Sequence, residues 1–176
     1  SNIQIIDSTT LSAGLGILVT DALRAVDRGD TLDEVVRLVR GLIPRLYAVF
    51  FLDDLIYLER NGLVSKSQAI LGNMMGVLPF LTVEHGQLIT MEKVRNRPRA
   101  QEKLIEFVTE FSAIKHLVLL HSAPEPDEEV RLVAERLQAL YPDTAIGFIN
   151  YGPAAATYIG LNGMGAVVME TEEEPT

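Results

Sequence analysis

The sequence has no cysteine and no tryptophan, only three histidines, and fewer basic than acidic residues, 15 against 24. Without cysteine there are no disulfides, no thiolate chemistry and no cysteine-ligated zinc. His85, His116 and His121 are too scattered to suggest a histidine metal site, so no metal and no cofactor is expected. A formal net charge of −9 argues against nucleic acid as the main partner, because binding phosphate requires a basic excess. No apolar run is long enough to cross a bilayer, and the N-terminus lacks a basic flank followed by an apolar core. The expectation is a soluble, cytoplasmic protein with no integral membrane segment.

Nearly half of the 176 residues are apolar, enough for a substantial core in one domain or slightly more. Ser1-Asn2 reads as a cloning scar, and the acidic stretch at 171–176 as a frayed tail. Ile3-Gln4-Ile5-Ile6 has the character of a short strand, ended by the capping cluster Asp7 to Thr10. Leu11, Leu15, Leu18, Val19, Ala22, Leu23 and Val26 follow at helical spacing. Gly14 and Gly16 cost that helix about 1 kcal/mol each relative to alanine. They point either to close backbone approach by another element or a ligand, or to a loosely wound first turn. Thr31 and Glu34 form a capping-box pattern, opening a second helix that Pro44 stops.

Leu46 to Leu52 is the strongest strand candidate, apolar on both faces as a covered central strand would be. The stretch from Leu52 to Gly72 then reads as helix, tight turn at Asn61-Gly62, and a second helix entered through the capping pair Ser65 and Gln68. Ala69, Ile70, Leu71, Met74 and Met75 make that second helix apolar on most sides. Such a surface is either ordinary core or the wall of a pocket, and composition favours core. Glu84-His85-Gly86 signals a hairpin, with His85 a solvated turn residue.

The segment from Lys93 to Lys103 carries five of the fifteen basic residues. Arg97 and Arg99 fall in the first turn after Asn96, where the helix dipole disfavours cations, so an anion or acidic partner is expected to answer them. Leu117 to Leu120, the helix after Pro126-Asp127, and Ala145 to Ile149 form a strand–helix–strand unit, with His121 at the carboxyl end of its first strand. Four glycines between Gly152 and Gly165 suggest backbone pressed against a neighbour, ahead of a last strand at Ala166 to Met169. No phosphate-binding loop, dinucleotide fingerprint or nucleophile motif is present. From the residues alone this is an α/β domain with a candidate apolar site and no enzyme.

Four segments in order resemble the DegV family of bacterial lipid-binding proteins. Ile3 to Ser8 followed by Leu11-Ser12-Ala13-Gly14-Leu15-Gly16 is similar to "V-I-D-S … S-x-G-x-G". Leu55 to Ser65 resembles "L-x-Y-L-x-x-G-G-R-I-S", with Leu63 in place of the arginine. Leu71-Gly72, Leu78 to Leu81, Gly86 and Val94-Arg95-Asn96 follow "L-G … K-P-I-L … G … V-R-T". Thr157 to Asn162 stands where the family has "T-H-T-G-P-G", with Tyr158 in place of the histidine.

The resemblance implies a two-lobed protein that buries a long-chain fatty acid between its lobes and presents the carboxylate to a partner kinase, with no chemistry of its own. The first lobe's hydroxyl motifs are missing here. The implied anatomy is therefore a C-terminal lobe at 30–170, a mixed β-sheet flanked by helices, preceded at 1–29 by the last strand and helix of the first lobe. Phe50, Leu55, Leu58, Leu71, Met74, Met75 and Phe80 become expected wall residues of an acyl tunnel. Thr157 and Tyr158 become ligand contacts, and Arg95 a head-group or partner contact. An exposed interlobe face would favour a homodimer. The competing expectation is an interaction module that docks an acidic partner through 93–103 without lipid. A phosphotransfer enzyme is a third, disfavoured by the missing nucleotide loop.

Overall fold

The computed structural model describes residues 3–171, so Ser1-Asn2 and the acidic residues 172–176 lie outside the described residues. A six-stranded mixed sheet runs through the middle in the order β3-β2-β1-β6-β4-β5. Its strands are β1 (Leu46–Phe51), β2 (Leu78–Glu84), β3 (Gln87–Val94), β4 (Ile114–His121), β5 (Ile146–Asn150) and β6 (Met164–Glu170). Only β4 and β5 are parallel; every other neighbouring pair is antiparallel. The helices are α1 (Ala13–Asp27), α2 (Leu32–Leu42), α3 (Ile56–Arg60), α4 (Lys66–Met74), α5 (Arg97–Thr109), α6 (Glu128–Leu140) and α7 (Pro153–Ile159).

Strand alternation splits the core into two layers. Val49 and Phe51 of β1 face α5 and α6, joining Phe80, Leu104, Val108, Val133 and Leu137. Phe50 and Leu52 face the other way, joining Ile17 and Leu18 of α1, Leu58 of α3, and Ala155 and Ile159 of α7. The sheet is thus covered on both faces, as the apolar run at Leu46–Leu52 predicts.

Local signals land where their chemistry requires. Thr31 Oγ1 accepts from the Glu34 backbone N–H at 3.4 Å, while the Thr31 N–H donates to Glu34 Oε2 at 2.7 Å. Ser65 and Gln68 close the same box ahead of α4. Thr31→Ala should cost about 1 kcal/mol, read as a lower urea midpoint with unchanged slope. The hairpin turns through His85 and Gly86, both at positive φ, as a tight two-residue connection requires. Pro44 does not simply stop α2; it sits in a single 3-10 turn, Ile43–Arg45, leading into β1.

One expectation is corrected. Ile3 to Ile6 forms no strand: Ile3 is 77% and Ile5 89% exposed, with no neighbouring strand among the described residues to pair with. Residues 153–159 form a helix, because Pro153 presets the first turn and three alanines follow it. Of the two early glycines, only Gly14 is crowded: a Cβ there would collide with Thr10 Oγ1 and lie 3.0 Å from Leu46 Cδ2, whereas Gly16 faces open space. α1 is apolar on two sides. It buries Ala13, Ile17 and Leu18, while Leu15, Val19, Leu23 and Val26 form an exposed stripe.

Candidate functional site

A cavity of about 610 Å³ lies beyond the carboxyl ends of β4 and β5. That size is within the usual range for small-molecule sites, and open α/β sheets commonly bind ligands at this end. Tyr57, Arg60 and Asn61 line it from α3 and its turn. Ser122, Asn150 and Tyr151 contribute from the strand ends, and Gly152, Pro153, Ala156, Thr157 and Leu161 from α7 and its flanks.

Side-chain hydrogen bonds fix the wall. Asn61 Nδ2 donates to the carbonyls of Tyr57 at 2.7 Å and Thr157 at 2.8 Å, tying α3 to α7. Asn150 Nδ2 donates to the Ser122 carbonyl at 2.9 Å, holding the two parallel strand ends together. The Tyr151 hydroxyl donates to the Gly160 carbonyl and accepts from the Gly163 N–H, both at 3.0 Å. Burial pushes that phenol above its ordinary value of 10.0, so it stays protonated. Gly160 has φ +74°, and a Cβ there would lie 2.6 Å from the Tyr57 ring, so glycine is what lets α7 end against α3.

The expected tunnel wall is only partly assembled. Thr157 lines the cavity. Phe50 and Leu58 lie in the core layer that Tyr57 and Ala156 pack against. Leu55 is buried between α3 and α4, close against Gly72. Phe80 is 2% exposed on the opposite face of the sheet, in the layer under α5 and α6, so it cannot share a wall with Phe50. Leu71 and Met74 on α4 and Met75 just after it are 59%, 80% and 74% exposed, pointing to solvent and not into an enclosed space. Tyr158 is half-exposed and does not line the cavity. His121 is buried at the end of β4; its neighbour Ser122 is the residue at the cavity. The strand–helix–strand pattern pointed to this end of the sheet and the Leu55–Ser65 motif spans Tyr57 and Arg60, but nothing local marked Asn150 or Ala156.

The chain's own acids answer the basic segment. Arg97 donates from Nε and Nη2 to Glu129 Oε2 at 2.9 and 2.7 Å and from Nη1 to the Asn162 carbonyl at 2.9 Å. It also pairs with Asp53 at 3.6 Å and lies over the Phe51 ring. Arg99 pairs with Glu102 and Glu106, and Lys103 with Glu92 and Glu106. No outside anion is needed for Arg97 or Arg99. Arg95 is exposed and makes no ion pair among the described residues.

A family model described as "Uncharacterised protein, DegV family" matches residues 1–171. The chain belongs to the DegV family. A DegV domain-containing protein of Clostridium perfringens is 32% identical over 167 residues, covering 93% of this chain and 58% of the relative. Among solved DegV structures, the fatty acid binding protein from Streptococcus agalactiae superposes with a TM-score of 0.81 at 23% identity, covering 96% of this chain and 60% of that one. The Streptococcus pneumoniae fatty acid kinase (Fak) B3 protein, loaded with linoleic acid, does so with a TM-score of 0.81 at 20% identity and the same coverage. These likenesses establish the DegV fold for the sheet and its helices. The chain spans about three fifths of the length of the DegV proteins it matches. Among the described residues no helix is long and apolar enough to cross a membrane.

Proposed function

We propose that this DegV chain binds a long-chain fatty acid, with the cavity between α3 and α7 as its contact, and carries out no chemistry on it. The observation that carries the reading is the cavity itself. It mixes apolar walls (Tyr57, Pro153, Ala156, Leu161) with a few polar groups, as amphiphile sites do. It is also lined in part by the two segments, Leu55–Ser65 and Thr157–Asn162, that carry the family resemblance. Solved relatives of the same fold are fatty-acid complexes, and one belongs to a fatty acid kinase. Presentation of the carboxylate to such a kinase is the matching role. Arg95, exposed and without an ion pair among the described residues, is the residue we assign to that contact.

The exposed α1 stripe supports reading 1–29 as part of a first lobe, with 30–170 as the C-terminal lobe. On that reading the stripe, together with Leu71, Met74 and Met75, faces the portion of the relatives that this chain does not span.

Native mass spectrometry of the chain incubated with long-chain fatty acids is the test. A bound acyl species is expected. Ala156→Trp, which places a large ring in the cavity, should weaken binding at least about tenfold, by overpacking the site. Wild-type protein that takes up no acyl species would overturn the proposal, as would unchanged affinity in a folded Ala156→Trp variant.

A further inference from the structure

Among the described residues, Arg60 is the only charged one lining the cavity. It stands at the last position of α3 and makes no hydrogen bond or ion pair with any described residue. Several of the other donors at the wall are already committed. The Asn61 and Asn150 amides are spent on backbone carbonyls, the Thr157 hydroxyl donates to the Ala154 carbonyl, and the Tyr151 hydroxyl is held by Gly160 and Gly163. No carboxylate of the described residues lines the space. In a chain of net charge −9, the cavity is therefore a local positive site with one unanswered guanidinium above apolar walls.

We infer that Arg60 selects the head group in this cavity: a single carboxylate on an apolar chain, held by the guanidinium. The inference rests on the acyl-binding reading above and assigns the residue that makes it specific for the acid. The chemistry follows from the fork of N–H donors, which matches the two oxygens of a carboxylate and offers nothing comparable to a neutral hydroxyl. Because Arg60 is exposed when the cavity is empty, the gain comes only as the ligand displaces water from it. The effect should therefore sit at the lower end of the range for charge-assisted bonds.

The test compares a saturated long-chain fatty acid with the primary alcohol of the same chain length, each titrated against the chain by fluorescence displacement. Arg60→Gln should weaken acid binding roughly tenfold and leave alcohol binding unchanged, while Arg60→Lys, which keeps the charge but loses the fork, falls between the two. Added salt should weaken the acid in the wild type and have no such effect in Arg60→Gln. The surface position makes misfolding a poor alternative explanation. Equal losses for acid and alcohol, or no loss for either, would overturn the assignment of Arg60 alone. Wild-type protein that binds neither ligand would overturn the acyl-binding reading and this inference with it.

Discussion

Phe80→Ala is expected to destabilise the chain by about 3–5 kcal/mol, the usual cost of truncating a fully buried phenylalanine. Phe80 is 2% exposed and packs among Leu104, Val108 and Phe51 under α5 and α6. Removing it opens a void that helices packed from both sides cannot fully close. By contrast, Met74→Ala, at a side chain 80% exposed, should change stability by no more than about 0.5 kcal/mol. Paired urea titrations of the two variants give the comparison. Acyl affinity of folded Phe80→Ala should match wild type, because the ring lies across the sheet from the cavity. A loss below about 1 kcal/mol, joined to weakened acyl binding, would instead make Phe80 part of the ligand wall.

The second large effect concerns Asp21, a buried carboxylate on α1 that is only 4% exposed. Lys115 Nζ on β4 donates to its Oδ2 at 2.8 Å, Arg24 pairs with Oδ1 at 3.2 Å, and His116 Nε2 lies 3.5 Å away. Burial by itself would push this carboxyl up. The hydrogen bond and charge of Lys115, with His116, outweigh that and hold it below its ordinary value of 3.8. Lys115→Met leaves the carboxylate buried without its closest cation. Breaking such a pair costs about 3–5 kcal/mol when both partners are buried. Lys115 is 40% exposed, so about 2–3 kcal/mol is expected here.

The pH dependence has a definite sign. Because the folded carboxyl is the stronger acid, its contribution is fully present above the unfolded value of 3.8 and is lost as pH falls through the folded value. The gap between wild type and Lys115→Met should therefore be widest near neutral pH and close below about pH 4. Urea midpoints at neutral, mildly acidic and strongly acidic pH measure it. A gap that widens on acidification would show that Lys115 stabilises the fold by some route other than Asp21.

What could be read from the sequence was whatever residues a few positions apart decide for one another. The Thr31–Glu34 and Ser65–Gln68 boxes, the Asn96 and Asp127 caps, the turn at His85-Gly86 and the β4–α6–β5 unit are of this kind. Each joins groups within one turn of helix, one hairpin or one crossover, so chain-neighbour chemistry suffices. The ordered DegV segments were legible for the same reason, since a motif is a local string.

Tertiary structure alone decided which side of the sheet each apolar residue serves. Phe50 and Phe80 are equally apolar, but their strands turn them to opposite layers, which no local periodicity reveals. The last strand, β6, enters between β1 and β4, a choice set by pairing with strands distant in the chain. That insertion carries the glycine-rich segment back across the sheet and seats α7 against α3. The cavity, its Arg60 and its Asn150 exist only as a consequence of those long-range pairings. The stretch Leu55–Ser65 carried the motif; the fold turns Tyr57, Arg60 and Asn61 of it to the cavity and leaves Met74 and Met75 exposed.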